Sequence, residues 1–388
     1  MRRLAAATFL VACGCGRSQG APAAGLPFEK HTLDTSYRAE GVAIADINGD
    51  GVPDLATDEY WYAGPSMTPH EIRTPQTYDP ATAFADGFGI YPEDVDGDGW
   101  LDLVVAPHPG NAMYWYANPK GTNVHWAAYV IAASGVAGLE TPIVADVFGD
   151  GHPVLVMTDS VQGVLAWLTP PADPTQPWVE HPIATSFAGA PVFTHGIGAG
   201  DVYGDGRADV LTAYGWFQQT ADPTAWIAHV FAFGPNPSAC SRMFAYDVDG
   251  DGLADVLCSR PHDYGLHWWH QERSDGSEPT FTDHVIDATT SQMHALRLDD
   301  LDGDGVPEIV SGKRYWAHGP STDPGVDDPA VLSYYTLHTG PHGPTFARFD
   351  IDTNSGIGTQ FAIGDLDGDG RPDIAISNKK GLFYFLGK

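Results

Sequence analysis

The chain has 388 residues, 50 acidic against 19 basic, for a net charge of −31, a field that excludes a nucleic-acid backbone as partner and opposes binding to a bare anionic membrane surface. Hydrophobic residues make up 43% and aromatic residues 11%, enough for a core, so the acidity is not the mark of a disordered chain. The 45 glycines and 31 prolines suit many short strands joined by tight turns better than they suit helices.

Arg2 and Arg3 lead into a short apolar run over residues 4–12, the charged and apolar regions of an export signal, too short to span a bilayer. Residues 1–12 are therefore read as a signal peptide. Its end, Leu10-Val11-Ala12-Cys13, resembles the lipobox of bacterial lipoproteins, in which cleavage leaves the cysteine first and its sulfur takes a diacylglyceryl group. The resemblance implies Cys13 as a lipid anchor, and Gly14 behind it implies sorting to the outer membrane. Residues 13–27, rich in Gly, Ala, Pro and Ser, read as a flexible tether. The body, residues 28–388, is expected to be exported and to meet the membrane only through the lipid.

Residues 28–33 have the pattern of a strand, and an acidic loop then recurs along the whole body. DINGDGVPD begins at Asp46, DVDGDGWLD at Asp94, DVFGDGHPV at Asp146, DVYGDGRAD at Asp201, DVDGDGLAD at Asp247, DLDGDGVPE at Asp300 and DLDGDGRPD at Asp365. The spacings, 48, 52, 55, 46, 53 and 65 residues, lie near the period of four-stranded propeller blades, which predicts seven units. β-like residues 41–45 run into the first loop and 54–56 run out, so the loop caps a hairpin. Behind each hairpin come an aromatic strand and a strand led by a His or aromatic residue, as at 113–116 then 126–131, and at 165–167 then 178–183. The last unit ends at 381–385 without that fourth strand, whose pattern stands instead at Phe28-Glu29-Lys30-His31-Thr32-Leu33. The N-terminal segment is thus predicted to complete the seventh blade and to protect its edge. Trp115, Trp167 and Trp268 are expected to pack between blades.

Each full loop places oxygen ligands at its positions 1, 3, 5 and 9 and Gly at position 6, which lets hard oxygens converge on Ca²⁺. The candidate ligands are Asp46, Asn48, Asp50 and Asp54; Asp94, Asp96, Asp98 and Asp102; Asp247, Asp249, Asp251 and Asp255; Asp300, Asp302, Asp304 and Glu308; and Asp365, Asp367, Asp369 and Asp373. Asp201, Asp205 and Asp209 share their loop with Tyr203, which predicts weaker binding. The loop at Asp146 carries Phe148 and Val154 and is expected to be a metal-free turn. The expectation is about five to six structural calcium ions, which makes nearly half of the acidic residues local metal ligands. An EF-hand differs, since it needs a Glu at position 12 and flanking helices.

These loops, their number and the strands around them resemble the FG-GAP/VCBS repeat family over essentially all of residues 28–388. The resemblance implies a calcium-bearing all-β propeller. A Phe-Gly pair leads into a loop only at Phe88-Gly89, which is closer to the VCBS branch than to integrin-type repeats. Membership of so broad a family implies fold and metal better than activity.

If the loops join the first and second strands of each blade, ligands belong at the opposite mouth. Six residues before each loop stand Glu40, Phe88, Glu140, His195, Ser241, His294 and Thr359, and the turns between second and third strands supply His108, His262, Asp263, Lys313, Arg314, Lys379 and Lys380. Four of the few cations thus fall on the last two blades. A sparse basic patch on an acidic body suits a carboxylate, phosphate or sulfated sugar. The longest insertion, residues 315–329, brings Trp316, His318 and Asp323 to the same rim beside His294. The predicted ligand set is His294, Lys313, Arg314, Trp316, His318, Lys379 and Lys380, for a glycan or an envelope protein. The alternative is a carbohydrate lyase or hydrolase with His294 or His195 as base and Lys313 or Arg314 stabilising negative charge. A scaffold for envelope assembly would instead show apolar patches on the outer strands. Export permits a disulfide between Cys240 and Cys258, although their offsets from the hairpin turn differ, so that pairing calls for a bulge.

Overall fold

The computed structural model describes residues 25–188, 192–235, 239–274 and 277–388. The expected signal peptide, Cys13 and the tether before Gly25 lie outside the described residues. The described chain forms seven four-stranded antiparallel sheets, and every regular element among the described residues is a strand. Six sheets take their strands in chain order. The seventh runs from Phe361–Gly364 through Asp373–Asn378 and Gly381–Gly387 to the N-terminal strand Phe28–Asp34, paired from Phe28 opposite Gly387 to Thr32 opposite Phe383. The ring closes as expected from the missing fourth strand. Lys30 Nζ reaches Asp352 Oδ2 at 2.8 Å and fastens the closing strand to the sixth blade.

The acidic loops join first to second strands, and their shape follows from two residue types. In the first loop Asp46 accepts hydrogen bonds from the amides of Asp50 at 3.1 Å and Gly51 at 2.9 Å, and Asp54 accepts from Ile47 at 2.8 Å. Gly49 and Gly51 sit at φ 70° and 87°, and the equivalent glycines have positive φ in all seven loops, a conformation open to Gly at little cost. The loop at Asp146, with two acids only, repeats the bonds from Asp150 and Gly151 to the Asp146 carboxylate at 3.1 and 2.9 Å. The turn is therefore written by its first Asp and its glycines, and the other acids serve something else.

Third and fourth strands meet through a stacked ring pair in every blade. Directly opposite residues stack as Trp61 on His70, Trp115 on Tyr129, Trp167 on His181, Trp216 on His229, Trp268 on His284, Tyr334 on Phe349 and Tyr384 on His31, with centroids 3.9 to 5.1 Å apart. This ladder accounts for the repeated His or aromatic lead, since such cross-strand pairs add about 0.5–1.5 kcal/mol beyond burial. The wedge between blades is apolar: Trp115 packs with Tyr91, Leu155, Met157 and Val164 from two neighbouring sheets. Outer strands leave Val179, Ile227, Val230 and Val285 exposed.

Cys240 and Cys258 are joined, with Cα atoms 5.3 Å apart. Met243, not Cys240, stands opposite Cys258 in the ladder. No bulge is needed because Cys240 precedes the strand Met243–Tyr246, and the Ser241 amide crosses back to the Ser259 carbonyl at 2.9 Å.

Candidate functional site

The first strands are innermost, so the residues just before them gather around the axis at the mouth opposite the acidic loops. Glu40, Phe88, Glu140, His195, Ser241, His294 and Thr359 are all buried there. Three of these positions are taken up by the backbone: Thr359 donates to the Phe88 carbonyl at 2.6 Å, and Ser241 to the carbonyl of Met293, the residue before His294, at 2.7 Å. The others are charged or carry imidazoles, and chemistry concentrates on them.

Arg314 enters from the sixth blade, fully buried, and spans the axis. Its Nε donates to Glu40 Oε2 of the first blade at 2.5 Å and its Nη1 to Glu140 Oε2 of the third at 3.2 Å. Its guanidinium also lies over the Phe88 ring at 5.2 Å. Tyr37 donates to the second Glu40 oxygen at 2.7 Å. Burial would raise the Glu140 pKa, but His195 and Arg314 hold it well below the usual carboxylate range.

Three imidazoles from consecutive blades meet next to Glu140. His195 Nε2 lies 3.1 Å from Glu140 Oε2 and His294 Nε2 lies 3.8 Å from it. His262, from the second-to-third turn of the fifth blade, sits with its ring 4.8 Å from that of His195 and 4.9 Å from that of His294. His294 Nδ1 is 3.0 Å from the Gln292 carbonyl, an acceptor only, so that nitrogen carries the proton. Burial, with Arg314 and His262 adding to it, pushes the His294 pKa well below its ordinary value, and burial lowers that of His262 as well. The insertion supplies His318, stacked on His262 at 4.5 Å, and the carboxylate of Asp323, 3.1 Å from His318 Nδ1 and 3.3 Å from His262 Nδ1. One nitrogen from each of His195, His262 and His294 lies within 4.8 Å of the others, as do donor atoms of His262, His318 and Asp323.

The cations diverge. Lys379 is 4% exposed, its ammonium 4.4 Å from the Phe84 ring centroid and 5.9 Å from that of Tyr37. Among the described residues no carboxylate stands within ion-pair distance of it, and burial pushes its pKa down to about 8 against the pull of Glu40. Lys313 is instead engaged inside the insertion, donating to the carbonyls of Gly325, Val326 and Asp328. Lys380 donates to Asn354 Oδ1 at 2.9 Å and lies over Tyr315, which stacks on Trp316. The mouth thus brings together His195, His294, Arg314, His318 and Lys379, with His262 at their centre, and leaves Lys313 and Lys380 to the side. His108 packs against Phe84, Phe88 and Phe193.

Below the mouth, a cavity of about 200 Å³ is lined by Tyr91, Arg242, Arg297, Thr359 and Gln360. Burial lowers the pKa of both arginines, and neither meets a carboxylate at ion-pair distance among the described residues. Sequence reasoning passed over them, although Leu296-Arg297-Leu298 puts a cation between two apolar residues on a strand that faces the axis.

On the far rim, carboxylate oxygens of Asp94, Asp96 and Asp102 lie within 4.8 Å of one another, as do those of Asp247, Asp249 and Asp251. Buried Asp102 and Glu308 have pKa values pushed up to about 7, and Asp209 to about 6, by burial and then by neighbouring loop carboxylates. A hard, all-oxygen set of crowded carboxylates fits a calcium ion. The chain's own cations reach into the fully acidic loops at Asp98, through Lys120 at 2.9 Å, and at Asp369, through Arg371. In the loop at Asp201, Arg207 Nη2 bonds Asp205 at 2.5 Å, so the chain partly neutralises that copy itself.

Profiles of the FG-GAP-like repeat match residues 94–157 and 247–311, and that of the FG-GAP repeat matches residues 357–382. Over those three segments the chain is similar to FG-GAP repeats. The matched segments contain the loops at Asp94, Asp146, Asp247, Asp300 and Asp365. No curated protein matches the sequence. Among solved structures, a chain from the crystal structure of BBS1N in complex with ARL6DN, soaked with lead, superposes with a TM-score of 0.50 at 12% identity, over 93% of this chain and 96% of that one. At that identity the likeness is one of fold alone.

Proposed function

We propose that this FG-GAP propeller is a calcium-stabilised binding protein of a bacterial envelope, anchored through Cys13, that takes an acidic glycan at the mouth opposite its loops. The observation that carries the reading is Lys379. A buried cation without a counter-charge is costly, and here it stands on aromatic rings in a chain of net charge −31. Arg314 Nη2, also buried without a partner, adds a second donor. A ligand carboxylate or sulfate would complete both, and Phe84 and His108 would face a sugar ring. Titration calorimetry with an oligogalacturonate and with a neutral oligosaccharide of equal length is the test. The acid binds and the neutral sugar does not, and Lys379→Ala weakens binding at least tenfold; equal affinity for the two sugars, or no effect of the substitution, sinks the reading.

Calcium is assigned to the fully acidic loops and to the one at Asp46, as a structural ion that neutralises their carboxylates. Chelation with EDTA should lower the melting temperature and added Ca²⁺ should restore it; a melting temperature indifferent to both would refute the assignment. For the anchor, Cys13→Ser should move the protein from the membrane fraction to the soluble one. A carbohydrate lyase or hydrolase at the same mouth is the second reading, favoured by the neutral His294, whose Nε2 has no partner. Appearance of unsaturated or shortened products from the oligogalacturonate would decide for it.

A further inference from the structure

We propose that His195, His262 and His294 form a transition-metal site of the zinc class at the axis of the mouth, with Glu140 as the adjoining carboxylate. It stands apart from the acidic loops in place and in chemistry, and it does not depend on the glycan reading. Three observations carry it.

The donors converge from separate blades. His195, His262 and His294 belong to the fourth, fifth and sixth blades and offer nitrogens within 4.8 Å of one another, while Glu140 of the third brings Oε2 to 3.1 and 3.8 Å from two of them. Zinc–nitrogen bonds of about 2.0–2.1 Å set tetrahedral ligand nitrogens about 3.4 Å apart, so nitrogens within 4.8 Å of one another need to close by at most about 1.4 Å.

Each of two buried rings keeps one nitrogen without a partner. His294 is 1% exposed and His195 5% exposed. His294 Nε2 and His195 Nδ1 nonetheless lack a hydrogen-bond partner, while His195 Nε2 lies 3.1 Å from Glu140 Oε2. Buried polar atoms are satisfied in the great majority of native structures, and two orphans within one cluster of imidazoles mark an absent partner. A single water brings two hydrogens and cannot satisfy three imidazole lone pairs, whereas a metal ion can.

Outer contacts already orient the rings. His294 donates Nδ1–H to the Gln292 carbonyl at 3.0 Å, which leaves the lone pair on Nε2, and His262 turns Nδ1 towards Asp323 at 3.3 Å. Carbonyl and carboxylate contacts of this kind fix the tautomer of metal-bound imidazoles. His318, stacked on His262 and bonded to Asp323, braces the same arm. An imidazole donor set selects zinc, copper, nickel or iron and rejects calcium. If a metal takes the His294 lone pair, His294 is not available as a general base.

The test uses the full chain saturated with Ca²⁺ so that the loops are loaded. Co²⁺ serves as a spectroscopic stand-in for zinc. One equivalent should develop the visible ligand-field bands of a four-coordinate ion, and Zn²⁺ but not excess Ca²⁺ should remove them. His294→Ala and His195→Ala should each lower Zn²⁺ affinity at least a hundredfold, and His181→Ala, in the ring ladder, should leave it unchanged. Should either buried-site variant fail to fold, His262→Ala, at a half-buried turn, reads the same loss. Displacement of Co²⁺ by Ca²⁺, bands that persist in His262→Ala, or a His181→Ala loss equal to the others would overturn the assignment.

Discussion

Replacing Arg314 by methionine asks whether the charge clasp across the axis holds the ring together. The guanidinium is fully buried and joins Glu40 of the first blade to Glu140 of the third, at 2.5 and 3.2 Å. Its removal leaves two carboxylates buried without their cation. Breaking a buried pair in this way costs about 3–5 kcal/mol. Unfolding entropy near 2.1 cal/mol/K per residue amounts to roughly 0.8 kcal/mol/K for a body of about 360 residues, so Arg314→Met should lower the melting temperature by about 4–7 °C. Scanning calorimetry reads the shift, and urea titration at constant slope checks that the cost lies in the folded state. The triple variant Arg314→Met, Glu40→Gln, Glu140→Gln removes the stranded charges and should recover most of the loss, because the penalty belongs to the unpaired carboxylates. A single variant within about 1 °C of the parent, or a triple variant no better than the single, would refute the reasoning.

Three further outcomes are expected. Lys379 has its pKa lowered to about 8 by burial, so its charge is present below that pH and lost above it; affinity for an acidic oligosaccharide should fall as pH rises through 8 and stay level in Lys379→Arg, and a flat profile in the parent would contradict the assignment. The Cys240–Cys258 bridge closes a separation of 18 residues, for which chain entropy predicts about 3 kcal/mol; the double Ala variant should show a lower urea midpoint, and an unchanged one would mean that the bridge adds nothing. Deleting residues 28–34 uncovers the edge of Gly381–Gly387, so the truncated protein should self-associate in size-exclusion chromatography, and a monodisperse species as stable as the parent would show that closure is dispensable.

The architecture was legible because the turn that builds each blade tolerates so few residues. Asp at its head and glycines at φ near 70–90° recur at every hairpin, so the loops could be counted before any strand was assigned. The closing strand was legible through an absence at the C-terminus and a surplus at the N-terminus. The mouth was legible in part: residues six before each loop share a register, and that register took His195, His294, Glu40 and Glu140 to the axis. Where a side chain leaves a turn, register no longer decides. Lys313 and Arg314 are neighbours in sequence, yet one is held by carbonyls of the insertion and the other crosses to two glutamates. The pairing of Asp323 with His262 joins two blades, and no periodicity announces it. Arg242 and Arg297 line the cavity between the two rims, where no loop or turn register marks a position. The disulfide did not follow from strand offsets because Cys240 stands outside the ladder.

The seam in the seventh blade has a consequence for how the ring assembles. Its pairing joins residue 28 to residue 387, the longest loop the chain has to close, while every other blade is built from one contiguous stretch. The Lys388 amide lies 3.0 Å from the Pro27 carbonyl, so a short linker could join the two ends without disturbing either strand. New ends cut in the exposed turn at residues 222–225 would make the old seam local and transfer the long closure to the fourth blade. Blade order, the loops and the mouth would stay as they are, and only the last contact to form would change. Which blade folds last is thus a property of where the circle is opened, and a permuted chain would let refolding kinetics follow the closure from one blade to another.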